Sequence, residues 1–210
     1  MPSFAAEKQF QRQGLLLVAG LDEVGRGAWA GPLVAGAVIL PEPTRALRQA
    51  LAAVNDSKQL RPTQREEYAS VIRAHAIAFA IGMVSAEAVD RLGVVCATRT
   101  AMRRALAALT TQPQALLLDA FPLPACDLPQ RAIIRGDSHS FSIAAASVIA
   151  KVKRDALMRD LHTQYPQYQW ASNKGYGTAA HQSALREFGP SPEHRKSFAP
   201  IRQRTLNLEP

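Results

Sequence analysis

The chain has 210 residues, 47% hydrophobic and 20% charged, enough for one domain with a real core or one domain with a small appendage. Its formal net charge of +8 makes a polyanion the first partner to consider. Two cysteines, with neither a CxxC pair nor a Cys/His cluster, argue against a zinc site or a disulfide framework. They fit a reducing cytoplasm, and both Cys96 and Cys126 are expected as buried thiols. No stretch approaches the ~20 apolar residues of a membrane span, and Met1 to Gln13 shows no signal-peptide pattern.

Residues 1–14 read as a polar, flexible, loosely packed segment. The apolar run from Leu15 to Val18 then leads a strand over about 15–24, and a second strand covers about 33–40. Between them stands Leu21-Asp22-Glu23-Val24-Gly25-Arg26-Gly27. Two adjacent acids on a strand point to opposite faces, so one site for both requires a bend, and Gly25 and Gly27 permit one. Acids inside an apolar strand need partners or a metal. A Gly-Arg-Gly turn beside them lets a substrate backbone come close, with Arg26 fixing the turn or meeting a phosphate.

Pro41-Glu42-Pro43 ends the second strand, and residues 44–53 have helical composition. Asn55-Asp56-Ser57-Lys58 is a polar loop in which Lys58 is placed to hold a phosphate. Pro62 opens a helix to about 74. A third strand covers 76–84, Ser85-Ala86-Glu87 opens a short helix, and 94–109 form another. The continuous apolar run from Ala115 to Leu118 is a buried central strand ending in Asp119. Sites in open α/β sheets gather at such strand ends, although a strand-terminal Asp also serves as a plain turn residue.

A short strand over 132–134 runs into Arg135-Gly136-Asp137. From about Ser142 to His162 the chain is one long helix, buried in its first half. Short helices between loops complete the chain. Three strands followed by strands alternating with helices describe a mixed α/β sheet flanked by helices. From Val148 onward ten Lys or Arg face five Asp or Glu, so +5 of the +8 lies in this last third.

Asp137 and Asp155 compete as a further site acid. Along an unbroken helix from Ser142, Asp155 lies roughly 20 Å away at 1.5 Å per residue, whereas paired catalytic metals are only ~3.5–4 Å apart. Both cannot ligate one pair, and Asp137 can equally cap the following helix.

Asp22-Glu23-Val24-Gly25-Arg26-Gly27 with Ala30-Gly31-Pro32 resembles the opening signature of ribonuclease HII, the type 2 ribonuclease H. The likeness continues, in order, through Asn55-Asp56-Ser57-Lys58, Leu118-Asp119, Arg135-Gly136-Asp137 and Ala144-Ala145-Ala146-Ser147-Val148-Ile149-Ala150-Lys151-Val152 with Arg154-Asp155. It ends with Lys174-Gly175-Tyr176-Gly177-Thr178 and His194-Arg195-Lys196-Ser197-Phe198. Two positions depart from the usual pattern: Ala120 where many members have Gly, and Arg135 where Lys is common.

The resemblance implies a ribonuclease H-like mixed sheet as a catalytic core over 15–162, with a C-terminal helical and loop extension over 163–210 packed on it. It implies an endonuclease that hydrolyses the RNA strand of RNA–DNA hybrids and cuts 5′ of ribonucleotides embedded in duplex DNA. Asp22, Glu23, Asp119 and, in the Arg-Gly-Asp piece, Asp137 would hold two divalent ions, Mg2+ or Mn2+, in the substrate complex. Asp155, beside Arg154, is left as an ion-pair or surface acid.

Gly25, Arg26 and Gly27 would read the 2′-hydroxyl, and Tyr176 would stack on the sugar beyond the junction. Lys58, Lys174, Arg195 and Lys196 would meet phosphates. The expected form is a cytoplasmic monomer, with a sliding clamp as a conceivable partner for which Thr205 to Pro210 offers no motif. Two rivals stand against this: a strand-transfer enzyme of the same broad fold, and a non-enzymatic nucleic-acid-binding module.

Overall fold

The computed structural model describes residues 1–52 and 61–206; Lys58 lies outside the described residues. Five strands form one sheet in the order β3-β2-β1-β4-β5. β1 (Val18–Val24), β2 (Leu33–Ile39) and β3 (Ala78–Val84) are an antiparallel meander, while β4 (Ala115–Asp119) and β5 (Gln130–Ile133) run parallel to β1. This is the mixed sheet expected. β5 begins two residues earlier than its apolar run, at Gln130 and Arg131, because an edge strand pairs through its backbone whatever its side chains.

The helices are α1 (Ala5–Gln11), α2 (Arg45–Ala50), α3 (Pro62–His75), α4 (Ala86–Leu92), α5 (Val94–Ala107), α6 (Phe141–Gln164), α7 (Trp170–Asn173), α8 (Ala179–Phe188) and α9 (Ala199–Leu206). Among the described residues none is long and apolar enough to cross a membrane.

Period-two alternation divides β1 between two cores. Ala19 and Leu21 join Ala97, Ala101, Met102 and Ala105 of α5 on one face. Gly20 and Asp22 turn to the other face, under α6. There the helix backbone comes so close that a Cβ on Gly20 would stand 2.1 Å from the Ser142 carbonyl carbon, and one on Gly36 would stand 2.4 Å from the Ala146 oxygen. These glycines let the buried first half of α6 lie directly on β1 and β2. Ser140 caps that helix, accepting from Ile143 N–H at 3.2 Å.

Three expectations change. The N-terminal segment is not loose: α1 buries Phe4, Ala6 and Glu7. Glu7 Oε1 accepts from Ser140 Oγ at 2.6 Å and from Ser142 N–H at 3.0 Å, at the N-terminal end of α6. Its carboxylate thus offsets the positive end of the helix. The cysteines are not core thiols, since Cys96 is exposed and Cys126 half-buried; on α5 it is Ala97 and Ala101 that face the sheet. Nor does β1 bulge at its acids. Its pairing with β2 stays in register through Asp22↔Gly36, Glu23↔Ala35 and Val24↔Val34, and the chain turns only at Gly25, with φ +85°.

The C-terminal extension packs on the core as expected, with Trp170, Tyr168, Leu185 and Ile201 closing a cluster on Ala30 and Met158.

Candidate active site

Parallel pairing of β1 with β4 ends at Leu21↔Leu118, so Asp22, still inside β1, comes next to Asp119 at the end of β4. β5 delivers the third piece. Asp119 pairs with Ile133, and the chain then turns through Arg135 (φ +54°) into the short 3-10 turn Gly136–Ser138 that carries Asp137. Asp119 Oδ1 accepts from Gly136 N–H at 2.7 Å, which ties the turn to the end of β4. From the other side, the N-terminal segment holds the residues after it through Ser3 N–H to His139 O at 3.1 Å and the Glu7–Ser140 bond.

Asp22 is 5% exposed. Its carboxyl is held well above the usual carboxylate range, first by burial and then by the neighbouring Glu23. A hydrogen bond with Ser147 of α6 opposes this, while the charges of Asp119 and Asp137 add to it. The charges of Glu23, Asp119 and Asp137 thus all act on Asp22. Asp155 does not join them. It lies buried on α6 with Lys151 Nζ at 2.6 Å and Arg65 Nη2 at 3.4 Å, so its partners are these two cations and not the adjacent Arg154.

Among the described residues, no group of three or more His, Cys, Asp or Glu side chains is arranged so that it could hold a metal ion. The chemistry of the donors nevertheless fits hard divalent ions: four carboxylates, all oxygen, one of them, Asp22, driven toward its neutral form by burial first and then by the charges of the other three.

The turn after β1 is built by two arginines. Arg195, fully buried, donates through Nη1 to Gly25 O at 2.7 Å and Arg26 O at 3.1 Å. Through Nη2 and Nε it donates to Gly31 O at 2.9 and 3.1 Å. Arg154, equally buried, donates to Pro32 O at 2.9 Å, Ala30 O at 3.1 Å and Lys174 O at 2.9 Å. A Cβ on Gly25 would lie 2.1 Å from Arg154 Nε, so this position needs glycine for space as well as for its φ. Gly27 is different: a Cβ there would meet nothing within 4 Å.

Arg195 was expected at a phosphate; instead it is spent on backbone carbonyls. Burial, with Arg154 adding repulsion, pushes its pKa down to about 9, which leaves it charged at neutral pH. Arg26 points the other way. It sits 3.9 Å from Glu23 Oε1, with its guanidinium 4.5 Å from the centre of the Phe121 ring.

Arg154, through Lys174 O, also attaches the Tyr176 loop. Trp29 N–H donates to Gly175 O at 2.8 Å, and Arg154 lies 5.5 Å from the Tyr176 ring centre. Tyr176 is 36% exposed. Behind it, His181 Nδ1 donates to Tyr176 O at 3.0 Å. His181 Nε2 then accepts from Trp170 Nε1 at 3.2 Å and from His194 Nε2 at 2.9 Å. His194 Nδ1 in turn accepts from Ser191 N–H at 2.9 Å. This arrangement requires both imidazoles neutral, and burial, with His181 adding repulsion, pushes the His194 pKa down to about 3.

The sequence reading missed these two histidines, Trp170 and the roles of Arg154, Arg195 and Glu7. The only signal was that Arg154, His194 and Arg195 fall inside pieces of the ordered resemblance.

The family model described as Ribonuclease HII matches residues 19–201. The Ribonuclease HII of Chloroflexus aurantiacus is 48% identical over 209 residues, covering 100% of this chain and 99% of that protein. Among solved structures, the ribonuclease H2 of Pyrococcus horikoshii OT3 superposes with a TM-score of 0.74 at 26% identity, over 90% of this chain and 97% of that one. The RNase HII of Archaeoglobus fulgidus, solved in a PCNA:RNase HII complex, gives 0.70 at 26% identity, over 86% and 94%. The chain belongs to the ribonuclease HII family, hydrolases that cut the RNA of RNA–DNA hybrids.

Proposed function

We propose that this enzyme is a metal-dependent endonuclease that cuts RNA–DNA hybrids and also cuts 5′ of single ribonucleotides embedded in duplex DNA. Asp22, Glu23, Asp119 and Asp137 are assigned as ligands of two divalent ions, Mg2+ or Mn2+. The observation that carries this reading is the buried Asp22 carboxyl, held above its usual range beside three other carboxylates at the ends of β1, β4 and β5. Bound there, divalent ions supply Lewis-acid polarisation of the phosphate and of water, and stabilise the leaving oxygen.

The chain's own residues position and select. Ser147 hydrogen-bonds Asp22, Asp119 fixes the turn of Asp137, and α1 holds that turn from behind. The Gly25-Arg26-Gly27 turn, rigidified by Arg195, offers close backbone approach at Gly27, where a 2′-hydroxyl that both donates and accepts is read by backbone groups. Tyr176 stacks on the sugar beyond the junction. Products carry a 3′-hydroxyl and a 5′-phosphate.

One chain carries all four acids and both reading loops, which suits action as a monomer. The Archaeoglobus relative was solved with PCNA.

The test is cleavage of an end-labelled RNA–DNA hybrid by wild type and Asp22→Asn, each with Mg2+ and with chelator. Wild type cuts only with metal, and Asp22→Asn binds the hybrid without cutting it. Near wild-type cleavage by purified Asp22→Asn protein overturns the assignment.

A further inference from the structure

Two buried histidines stand behind the Tyr176 loop. His181 of α8 is 0% and His194 1% exposed, so neither touches a substrate. Their hydrogen bonds fix where each proton sits. Trp170 Nε1 only donates, so His181 Nε2 accepts and His181 carries its proton on Nδ1, aimed at Tyr176 O. His194 Nδ1 accepts from Ser191 N–H, so its own proton lies on Nε2 and is given to His181 Nε2.

Such a pair is a poor way to fill space. The Tyr168 and Trp170 rings lie 4.7 and 5.3 Å from the His194 ring, and apolar side chains among them would leave no polar atom to satisfy. What the imidazoles add is one bond at one place. Four consecutive carbonyls of the loop are each held from outside it: Lys174 O by Arg154, Gly175 O by Trp29 N–H, Tyr176 O by His181 and Gly177 O by Gln182 Nε2 at 3.0 Å. At Tyr176 itself the holder is an imidazole whose tautomer and orientation are set by two further donors.

The same network reaches the Gly25-Arg26-Gly27 turn. His194 forms an isolated antiparallel bridge with Ala30, and Arg195 N–H donates to Trp29 O at 2.8 Å. The Arg195 guanidinium holds the carbonyls of Gly25 and Arg26. Two adjacent residues thus fasten both loops assigned to reading the junction.

We propose that His181, oriented by Trp170 and His194, is a positioning residue for Tyr176 and sets the preference for a single embedded ribonucleotide over a continuous RNA tract. This rests on the assignment of Tyr176 to the sugar beyond the junction. A deoxyribose lies there at an embedded ribonucleotide and a ribose inside an RNA tract, so a displaced Tyr176 costs more at the first than at the second.

The test is kcat/KM with Mg2+ on a duplex holding one ribonucleotide and on a continuous hybrid, taken as a ratio well below Tm. The amide of Gln reaches the place of Nε2, and that of Asn the place of Nδ1. His181→Gln therefore keeps an acceptor for Trp170 and loses the donor to Tyr176 O, and its ratio should fall about tenfold, the upper worth of one such bond. His181→Asn keeps that donor, so its ratio should stay within about twofold of wild type although it melts lower than His181→Gln. In a Tyr176→Ala background, where the ratio has already fallen, His181→Gln should add less than about twofold.

His194→Asn keeps an acceptor for Ser191 N–H and frees one side of the His181 ring. Its ratio should fall about threefold, and it carries the test if His181→Gln does not fold. An unchanged ratio in folded His181→Gln, or in His194→Asn standing in for it, overturns the positioning role. So does a ratio that falls as far in His181→Asn as in His181→Gln, the mark of a merely structural pair. An unchanged ratio in Tyr176→Ala instead refutes the stacking reading on which the role rests.

Discussion

Replacing Arg195 with Lys keeps the charge and removes the fork. The guanidinium makes four hydrogen bonds to three carbonyls, Gly25, Arg26 and Gly31, all within 2.7–3.1 Å and with no solvent access to the side chain. An ammonium on a shorter, differently directed head cannot span acceptors on both sides of the turn. We expect it to keep one side and strand at least one buried carbonyl on the other. Each stranded carbonyl costs about 1–3 kcal/mol, and a lost bond to a charged donor about as much. The expected loss is about 2–5 kcal/mol, or roughly 4–20 °C in Tm for a chain of this size.

The same change frees the Gly25–Gly31 turn, so discrimination falls with stability. The ratio of cleavage at a single ribonucleotide to cleavage at a continuous RNA tract, measured well below Tm, should drop at least tenfold. Thermal melting and a two-substrate cleavage assay read both effects. A Tm within 2 °C of wild type and an unchanged ratio would refute the clamp.

Asp22→Asn should raise the Tm of the metal-free protein at neutral pH. The folded-state pKa of Asp22 is raised, so its contribution to stability is present at low pH and is lost as pH rises through that value. The amide removes this penalty, and the Tm gain that wild type shows with Mg2+ should shrink in the variant; a lower metal-free Tm counts against the crowded-acid reading. His194 has the opposite sign: with its pKa pushed down from 6.5 to about 3, its contribution is present above 6.5 and is lost as pH falls toward 3. Stability should decline by up to about 1.4 kcal/mol per pH unit in that window for this one proton, and His194→Gln should flatten the decline in denaturant titrations at pH 4.5 and 7; parallel curves would exclude the role. Asp137→Asn should lower turnover by orders of magnitude with little change in Tm, and a variant within threefold of wild type in turnover would remove Asp137 from the site.

The parts of the site visible in the sequence are those where an apolar run stops at an acid. Asp22 inside β1 and Asp119 at the end of β4 announce themselves because a buried carboxylate has to be answered for. Asp137 does not: it sits on a 3-10 turn, and a helix cap would read the same. Helical spacing set Asp155 apart from the other acids, yet could not name Lys151 and Arg65 as its partners, since Arg65 is 90 residues away.

Arg154 and Arg195 illustrate the same limit. A sequence shows a basic residue near a glycine turn, and exposure decides whether it meets phosphate or carbonyl. Both are buried against the carbonyls of Ala30 and Gly31, beside the cluster that Trp170, Tyr168 and Met158 form on Ala30, a long-range packing that no local pattern encodes. The N-terminal helix was missed for a related reason. Phe4, Ala6 and Phe10 look sparse until β1, β4 and α6 provide the surface they cover. The left-handed Ala120 (φ +58°) and Arg135 (φ +54°), at the two positions departing from the family pattern, mark where the backbone turns beside Asp119 and Asp137.

The most direct measurement is cleavage of a DNA duplex holding one ribonucleotide, beside an all-DNA duplex of the same sequence, with Mg2+ and with chelator. The account predicts a single metal-dependent cut 5′ of the ribonucleotide, leaving a 3′-hydroxyl and a 5′-phosphate, and no cut in the all-DNA duplex. Cleavage of the all-DNA duplex, or undiminished cleavage under chelation, would contradict it.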